Sequence, residues 1–85
     1  MSEDAVQRAV EAKSRHEARL LGKANVLGVG VGFRERHGQL TDEVVLVVNV
    51  AHKVPRSQLR PDDVIPPAIE GVPVDVRETG PLRAL

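Results

Sequence analysis

The chain has 85 residues with equal numbers of basic and acidic side chains, so its formal net charge is zero, and it contains no Cys, Trp or Tyr. The charge balance argues against a nucleic-acid-binding protein, which normally carries a basic excess on one face. The lack of cysteine excludes disulfides, thiolate zinc sites and cysteine nucleophiles. The length predicts a single small domain over 1–85, with a core barely large enough for independent stability.

The N-terminal residues are acidic and precede no apolar run of the kind found in signal peptides. No stretch of the sequence approaches the length of a membrane span. We therefore expect a protein with no membrane-spanning segment and a cytoplasmic location.

Residues 2–22 are predicted to form a helix, with Ser2 as its N-cap and Gly22 at its end. Apolar side chains recur at helical spacing, at Ala5, Val6, Ala9, Val10, Leu20 and Leu21. Charged and polar residues interrupt this stripe in its middle, at Lys13, His16 and Glu17. We therefore expect the helix to dock through its C-terminal end and to leave its N-terminal half, with Val6 and Val10, free to contact a second copy.

Residues 25–52 predict a β-hairpin with a polar turn around Gly38. Its first arm alternates between apolar residues and glycines, at Leu27, Gly28, Val29, Gly30, Val31, Gly32 and Phe33. The glycine face lets another backbone or the helix approach closely. These glycines have a period of two, which does not match the Gly-x-Gly-x-x-Gly pattern of phosphate-binding turns.

The second arm of the hairpin, 43–52, is apolar on both faces. Such a strand is normally covered on both sides, and a single helix can cover only one. We expect the segment 53–71 or a second subunit to cover the other face, which carries Val45 and Val47. The predicted interface residues are therefore Val6, Val10, Val45 and Val47.

Residues 53–71 contain four prolines and are predicted to be an irregular crossover connector, with one turn at 57–59 and a helical turn starting at Pro67. Residues 72–79 alternate as a third strand, and Pro73, which has no N–H, favours an edge position. The final residues, 80–85, are predicted to form a tail. The fold class is therefore α+β, a helix followed by a small three-stranded sheet, with the direction of the third strand left open.

No group of reactive side chains predicts catalysis. The three histidines, His16, His37 and His52, belong to different elements and lack metal-ligand spacing. Ser57 and the acidic pair at 62–63 lie near His52, but neither a Gly-x-Ser-x-Gly elbow nor a glycine-rich turn surrounds the serine. We therefore expect no catalytic, cofactor-binding or metal-binding residue, and no cofactor.

Four pieces of the sequence carry a family resemblance: 25–32, 40–48, 53–55 with Leu59, and 63–76, the last of which contains Ile-Pro-Pro-Ala-Ile-Glu-Gly-Val-Pro-Val-Asp-Val. These runs resemble a segment that precedes the catalytic domain in bacterial proteins with a trypsin-like serine peptidase domain. The catalytic His, Asp and Ser of such proteins come later than this segment, so none of them is carried over to this chain. The resemblance implies a peptidase-associated module without a catalytic triad.

We therefore expect a non-catalytic protein-interaction or self-assembly module that is homo-oligomeric and binds neither nucleic acid nor a membrane. The alternative hypothesis is a regulatory or propeptide-like segment of a trypsin-like serine peptidase system, with the peptidase or another protein as its partner. A third hypothesis, a small-ligand or metal-binding enzyme, has no cluster of residues to support it.

Overall fold

The computed structural model describes residues 3–79. Within them the elements are one helix, four strands and two short 3-10 helices: α1 (Glu3–Leu21), β1 (Val26–Arg36), β2 (Gln39–Val50), the 3-10 helices Arg56–Gln58 and Pro61–Asp63, β3 (Ala68–Ile69) and β4 (Val72–Glu78). The strands form one sheet in the order β1-β2-β4-β3. The α+β class with an N-terminal helix is confirmed, whereas the prediction of three strands is wrong.

The helix α1 packs on one face of the sheet. Its first turn carries Glu3 and Asp4, whose negative charges are favourable at the N-terminal end of a helix. The predicted N-cap, Ser2, and the predicted tail, 80–85, lie outside the described residues. No helix in the described part of the chain combines the length and the apolar character that a membrane span requires.

The buried face of α1 consists of small residues over most of its length. Ala9, Ala12 and Leu20 are fully buried, whereas Leu21 is 44% exposed. The expectation that the helix docks only through its C-terminal end, by Leu20 and Leu21, is therefore wrong. The reason is that two alanines in the middle of the helix let its backbone approach the sheet closely, so the contact extends well into the N-terminal half.

β1 and β2 form an antiparallel hairpin, joined by a two-residue turn at His37 and Gly38. Both turn residues have left-handed backbone conformations, with φ of 52° and 78°, as a type I′ turn requires. Side chains from both strands pack beneath α1 around the buried Leu46 and Val48, and they include Val26, Val29, Val31 and Val44.

β3 replaces the helical turn that was expected to start at Pro67. Glu70 and Gly71 follow β3 with φ of 52° and 78°, so they form a second tight turn that reverses the chain into β4. Two left-handed residues in succession cannot continue a right-handed helix. Instead, the carbonyl oxygen of Pro67 accepts a hydrogen bond from the backbone N–H of Val74 at 2.9 Å.

β4 lies between β2 and β3 and not at the edge of the sheet, so the predicted edge position is wrong. It pairs with β2 in parallel, which settles the direction left open by the sequence, and this pairing begins at Val74. Pro73 pairs only with Ala68 of the two-residue β3. The missing N–H of Pro73 is tolerated because it precedes the ladder with β2. Parallel pairing requires a crossover connection, which residues 51–71, including β3, supply.

Candidate functional site

Val45 and Val47, two of the predicted interface residues, lie inside the chain. Because Leu46 and Val48 belong to the core beneath α1, their neighbours on the strand point to the opposite face of the sheet. On that face Val45 is fully buried and Val47 is 8% exposed. The chain itself buries both side chains, so a second subunit is not needed to cover them.

Charged side chains of β4 contribute to this cover by reaching across β2 to β1. The carboxylate oxygen Oδ2 of Asp75 accepts a hydrogen bond from the backbone N–H of Glu35 at 2.9 Å. Arg77 donates from Nη2 to the carbonyl oxygen of Phe33 and contacts Asp75 Oδ2 from the same nitrogen at 3.1 Å. Because β2 lies between β1 and β4, these contacts pass over the face of β2 that α1 leaves open.

The electrostatics of Asp75 fit this bridging position. Partial burial raises the pKa of its carboxyl group, but the hydrogen bond from Glu35 N–H and the nearby Arg77 guanidinium outweigh that effect. The pKa of Asp75 is therefore lower than usual, and the carboxylate form is favoured in the folded chain.

The glycine face of β1 lies on the same side, and only part of it is crowded. A Cβ added at Gly32 would lie 3.2 Å from Cγ2 of Val47, whereas one added at Gly30 would meet no atom within 4 Å. The expectation that a row of glycines permits close approach therefore applies to Gly32 and not to Gly30.

Val6 and Val10, the other two predicted interface residues, face an accessible apolar surface. Val10 is 48% exposed, and Val6 lies one helical turn away on the same side of α1. Val6 also lines an apolar notch of about 240 Å³ between α1 and the hairpin. We call this region the helix–hairpin surface and define it by Val6, Val10, Val31, Phe33 and Val44.

A polar cluster fixes α1 to the turn between β3 and β4. Nη2 and Nε of Arg15 donate to the two carboxylate oxygens of Glu70 at 2.6 and 3.0 Å. Nε2 of His16 lies 2.7 Å from Oε2 of the same carboxylate. Hydrogen bonds from Arg15 and His16 lower the pKa of Glu70 to about 2, and the carboxylate in turn raises the pKa of Arg15. His16, which interrupts the apolar stripe of the helix, is thus partnered and not merely solvated.

The remaining histidines are not close to one another. His37 lies in the exposed β1–β2 turn, and His52 is exposed after the end of β2, where it lines a cleft. Ser57 is exposed in the 3-10 helix Arg56–Gln58. Over residues 3–79, no three His, Cys, Asp or Glu side chains come together in a way that could hold a metal ion.

Sequence reasoning missed two groups of residues at these surfaces. Phe33 and Val44 face each other across the hairpin and line the notch, and their position on the helix side of each strand was the available signal. Asp75 and Arg77 are two positions apart in β4, so strand alternation places both on one face. This alternation does not indicate which distant backbone groups Asp75 and Arg77 contact.

Comparison with known proteins defines the class to which this fold belongs. A family model described as the NARROW LEAF 1 N-terminal domain matches residues 7–77, which include all four strands except the last residue of β4. The chain therefore belongs to the family of NARROW LEAF 1 N-terminal domains. A relative in this comparison is Protein NARROW LEAF 1 of Oryza sativa subsp. japonica, which is 47% identical over 45 residues. The match covers 53% of this chain and 8% of the rice protein.

These findings correct the family resemblance inferred from the sequence. The runs in 25–76 were compared with a segment of bacterial proteins that carry a trypsin-like serine peptidase domain. The family that matches is instead that of NARROW LEAF 1 N-terminal domains. The description of the chain as peptidase-associated is therefore wrong.

Proposed function

We propose that this chain is a non-catalytic interaction module that associates with a second copy of itself through the helix–hairpin surface. The observation that carries the proposal is the exposure of Val10, at 48%, one helical turn from Val6, which lines the apolar notch. Single exposed apolar residues are common on protein surfaces, but a concave apolar surface next to one is typical of interaction sites.

The spacing of the two valines suits a symmetric contact. In a two-fold pair the same patch is used by both copies, so each contact occurs twice. Two antiparallel α1 helices that cross between Val6 and Val10 would place Val6 of one copy against Val10 of the other. The same arrangement would bring Glu3 of one copy towards Lys13 of the other, whose ammonium contacts Glu17 of its own chain at 2.8 Å.

Two variants of the same helix test this proposal. We expect Val10→Glu to convert the dimer to a monomer in size-exclusion chromatography with light scattering, because it places a charge at the centre of an apolar contact. Leu21→Glu is the matched control, since Leu21 is 44% exposed on the same helix but lies about 16 Å further along it. We expect this control to keep the dimer.

Two outcomes would contradict the proposal. One is an unchanged mass for Val10→Glu, and the other is an equal effect of the two variants, which would move the contact away from the helix–hairpin surface. Circular dichroism of both variants shows whether the fold is kept. A cytoplasmic location is part of the proposal and is tested by fractionation of cells that express the chain.

A further inference from the structure

A second concave surface lies at the other end of β2, away from the helix–hairpin surface. It is a cleft of about 350 Å³ between the loop that follows α1, the end of β2, the crossover and β4. Its walls are mainly apolar, with side chains from Val50, Val54, Leu59, Ile65 and Val76. This volume lies at the lower end of the range for small-molecule sites.

Hydrogen bonds between sequence-distant segments hold the rim of the cleft in place. The side-chain amide of Asn25 donates to the carbonyl oxygen of His52, and the backbone N–H of Ala24 donates to Oδ1 of Asp63 at 3.0 Å. The backbone N–H of Lys53 donates to a carboxylate oxygen of Glu78 at 2.7 Å. The cleft is therefore formed in the chain before any ligand binds, which lowers the entropic cost of binding.

Unpaired positive charge lines the cleft. Lys53 and Arg56 are lining residues, and neither side-chain cation has a hydrogen-bond or ion-pair partner within residues 3–79. Asp63 is the acidic residue of the lining, and one of its oxygens accepts the hydrogen bond from Ala24. The lining thus carries two permanent positive charges and one negative charge beside apolar walls, and the carboxylate of Glu78 lies at the rim.

We propose that this cleft binds a small aliphatic carboxylate, with the hydrocarbon chain against the valine and leucine walls and the carboxylate between Lys53 and Arg56. A guanidinium and an ammonium are both effective partners for a carboxylate. With the carboxylates of Asp63 and Glu78 nearby, a singly charged carboxylate meets less repulsion than a doubly charged phosphate, and only the aliphatic acid also covers the apolar walls. This site is separate from the proposed dimer contact and does not depend on it.

The direct test is a titration of the full chain with octanoate, followed by two-dimensional NMR of its backbone amides. We expect chemical-shift changes concentrated around Val54, Leu59 and Val76. Octanol, which lacks the charge, and inorganic phosphate, which lacks the hydrocarbon, are both expected to bind at least about tenfold more weakly. N-acetyl-leucine carries a carboxylate next to a peptide group, as the C-terminus of a peptide does. Comparing its binding with that of octanoate shows whether the cleft prefers a simple aliphatic acid or a peptide C-terminus.

A pair of double variants tests the role of the two cations. Lys53→Gln with Arg56→Gln is expected to weaken octanoate binding roughly tenfold. The control, Arg8→Gln with Arg36→Gln, removes the same charge at positions outside the cleft and is expected to leave binding unchanged. The proposal is overturned if octanol binds as tightly as octanoate, or if N-acetyl-leucine or phosphate binds more tightly than octanoate. It is also overturned if the two double variants weaken octanoate binding equally, or if millimolar octanoate causes no chemical-shift changes.

Discussion

Arg15 of α1 and Glu70 of the β3–β4 turn form a two-point ion pair, with Nη2 and Nε of the arginine 2.6 and 3.0 Å from the two carboxylate oxygens. The two residues are 55 positions apart in the sequence. Glu70 also has a left-handed backbone, with φ of 52°, which a non-glycine residue adopts at some cost. The turn therefore presents this carboxylate to the helix, and the pair joins the first element of the chain to its last hairpin.

We expect Glu70→Gln to lower the melting temperature at pH 7, because it removes the charge that both Arg15 and His16 contact. The pKa of Glu70 is lowered from 4.5 to about 2 in the folded chain. The folded state thus binds fewer protons than the unfolded state between these values, and this contribution to stability is present above about pH 4.5 and lost as the pH falls through about 2. Thermal melts from pH 7 to pH 2 measure the effect.

The difference in melting temperature between Glu70→Gln and the unmodified chain should therefore become smaller as the pH is lowered. Glu35→Gln is the control, since this carboxylate is exposed on β1 and forms no ion pair within residues 3–79. A difference that stays constant down to pH 2, or an equal effect of the control, would show that the Glu70 charge does not stabilise the fold.

Asp75→Ala is expected to destabilise the chain by about 2 kcal/mol, because it leaves the Glu35 N–H and the Arg77 guanidinium without their shared acceptor. Asp75→Asn should cost less, since the amide oxygen can still accept one of these hydrogen bonds. Urea denaturation measures both variants, with Asp42→Ala on the exposed part of β2 as the control. Equal stabilities for Asp75→Ala and Asp42→Ala would refute a bridging role for Asp75 across β2.

The two glycines of β1 that face Val45 and Val47 should respond differently to alanine. Gly30→Ala meets open space, so it should be neutral or stabilise the chain by about 0.5 kcal/mol through reduced freedom of the unfolded state. Gly32→Ala places its methyl group 3.2 Å from Val47 Cγ2, and valine is stiff at χ1, so we expect a loss of about 1 kcal/mol. Denaturant midpoints measure which variant is more stable. A lower midpoint for Gly30→Ala than for Gly32→Ala would contradict the packing described for this face.

Val47→Asp and Val10→Asp separate folding from association. Val47 is buried within one chain, so an unpaired carboxylate there should cost several kcal/mol and unfold a domain of this size. Val10 is half exposed, so the same change should leave the unfolding free energy of the monomer within about 0.5 kcal/mol of its original value. Denaturation followed by circular dichroism, at a protein concentration too low for association, measures both unfolding free energies. A folded, stable Val47→Asp would show that the face of the sheet that carries Val47 is open to solvent.

The hairpin of β1 and β2 was predictable because its signals are local. Strict alternation from Leu27 to Phe33 gives the strand period, and Gly38 supplies a turn residue with positive φ. The helix was predictable for the same reason, although its docked face was not. Ala12 is a weak hydrophobic signal from sequence, yet its small size lets it lie fully buried against the sheet, whereas the larger Val10 points outwards.

The fourth strand and the cover over β2 depend on contacts that no local pattern contains. β3 has two residues, so it has no detectable period, and Pro67 before it suggested the first turn of a helix. The sequence gives no sign that Arg77 reaches the carbonyl oxygen of Phe33 from across β2. Val45 and Val47 were therefore expected to need a cover from outside the sheet, which the strands' own charged residues help to provide. The predicted contact of Val6 and Val10 with a second copy remains a prediction.

Sedimentation equilibrium of the unmodified chain, from about 1 to 100 μM, tests the central proposal most directly. We expect the average mass to rise from that of the 9.2 kDa monomer towards twice that value as concentration increases, because an exposed apolar surface pairs by mass action. A mass that stays at the monomer value across the whole range would contradict self-association through the helix–hairpin surface.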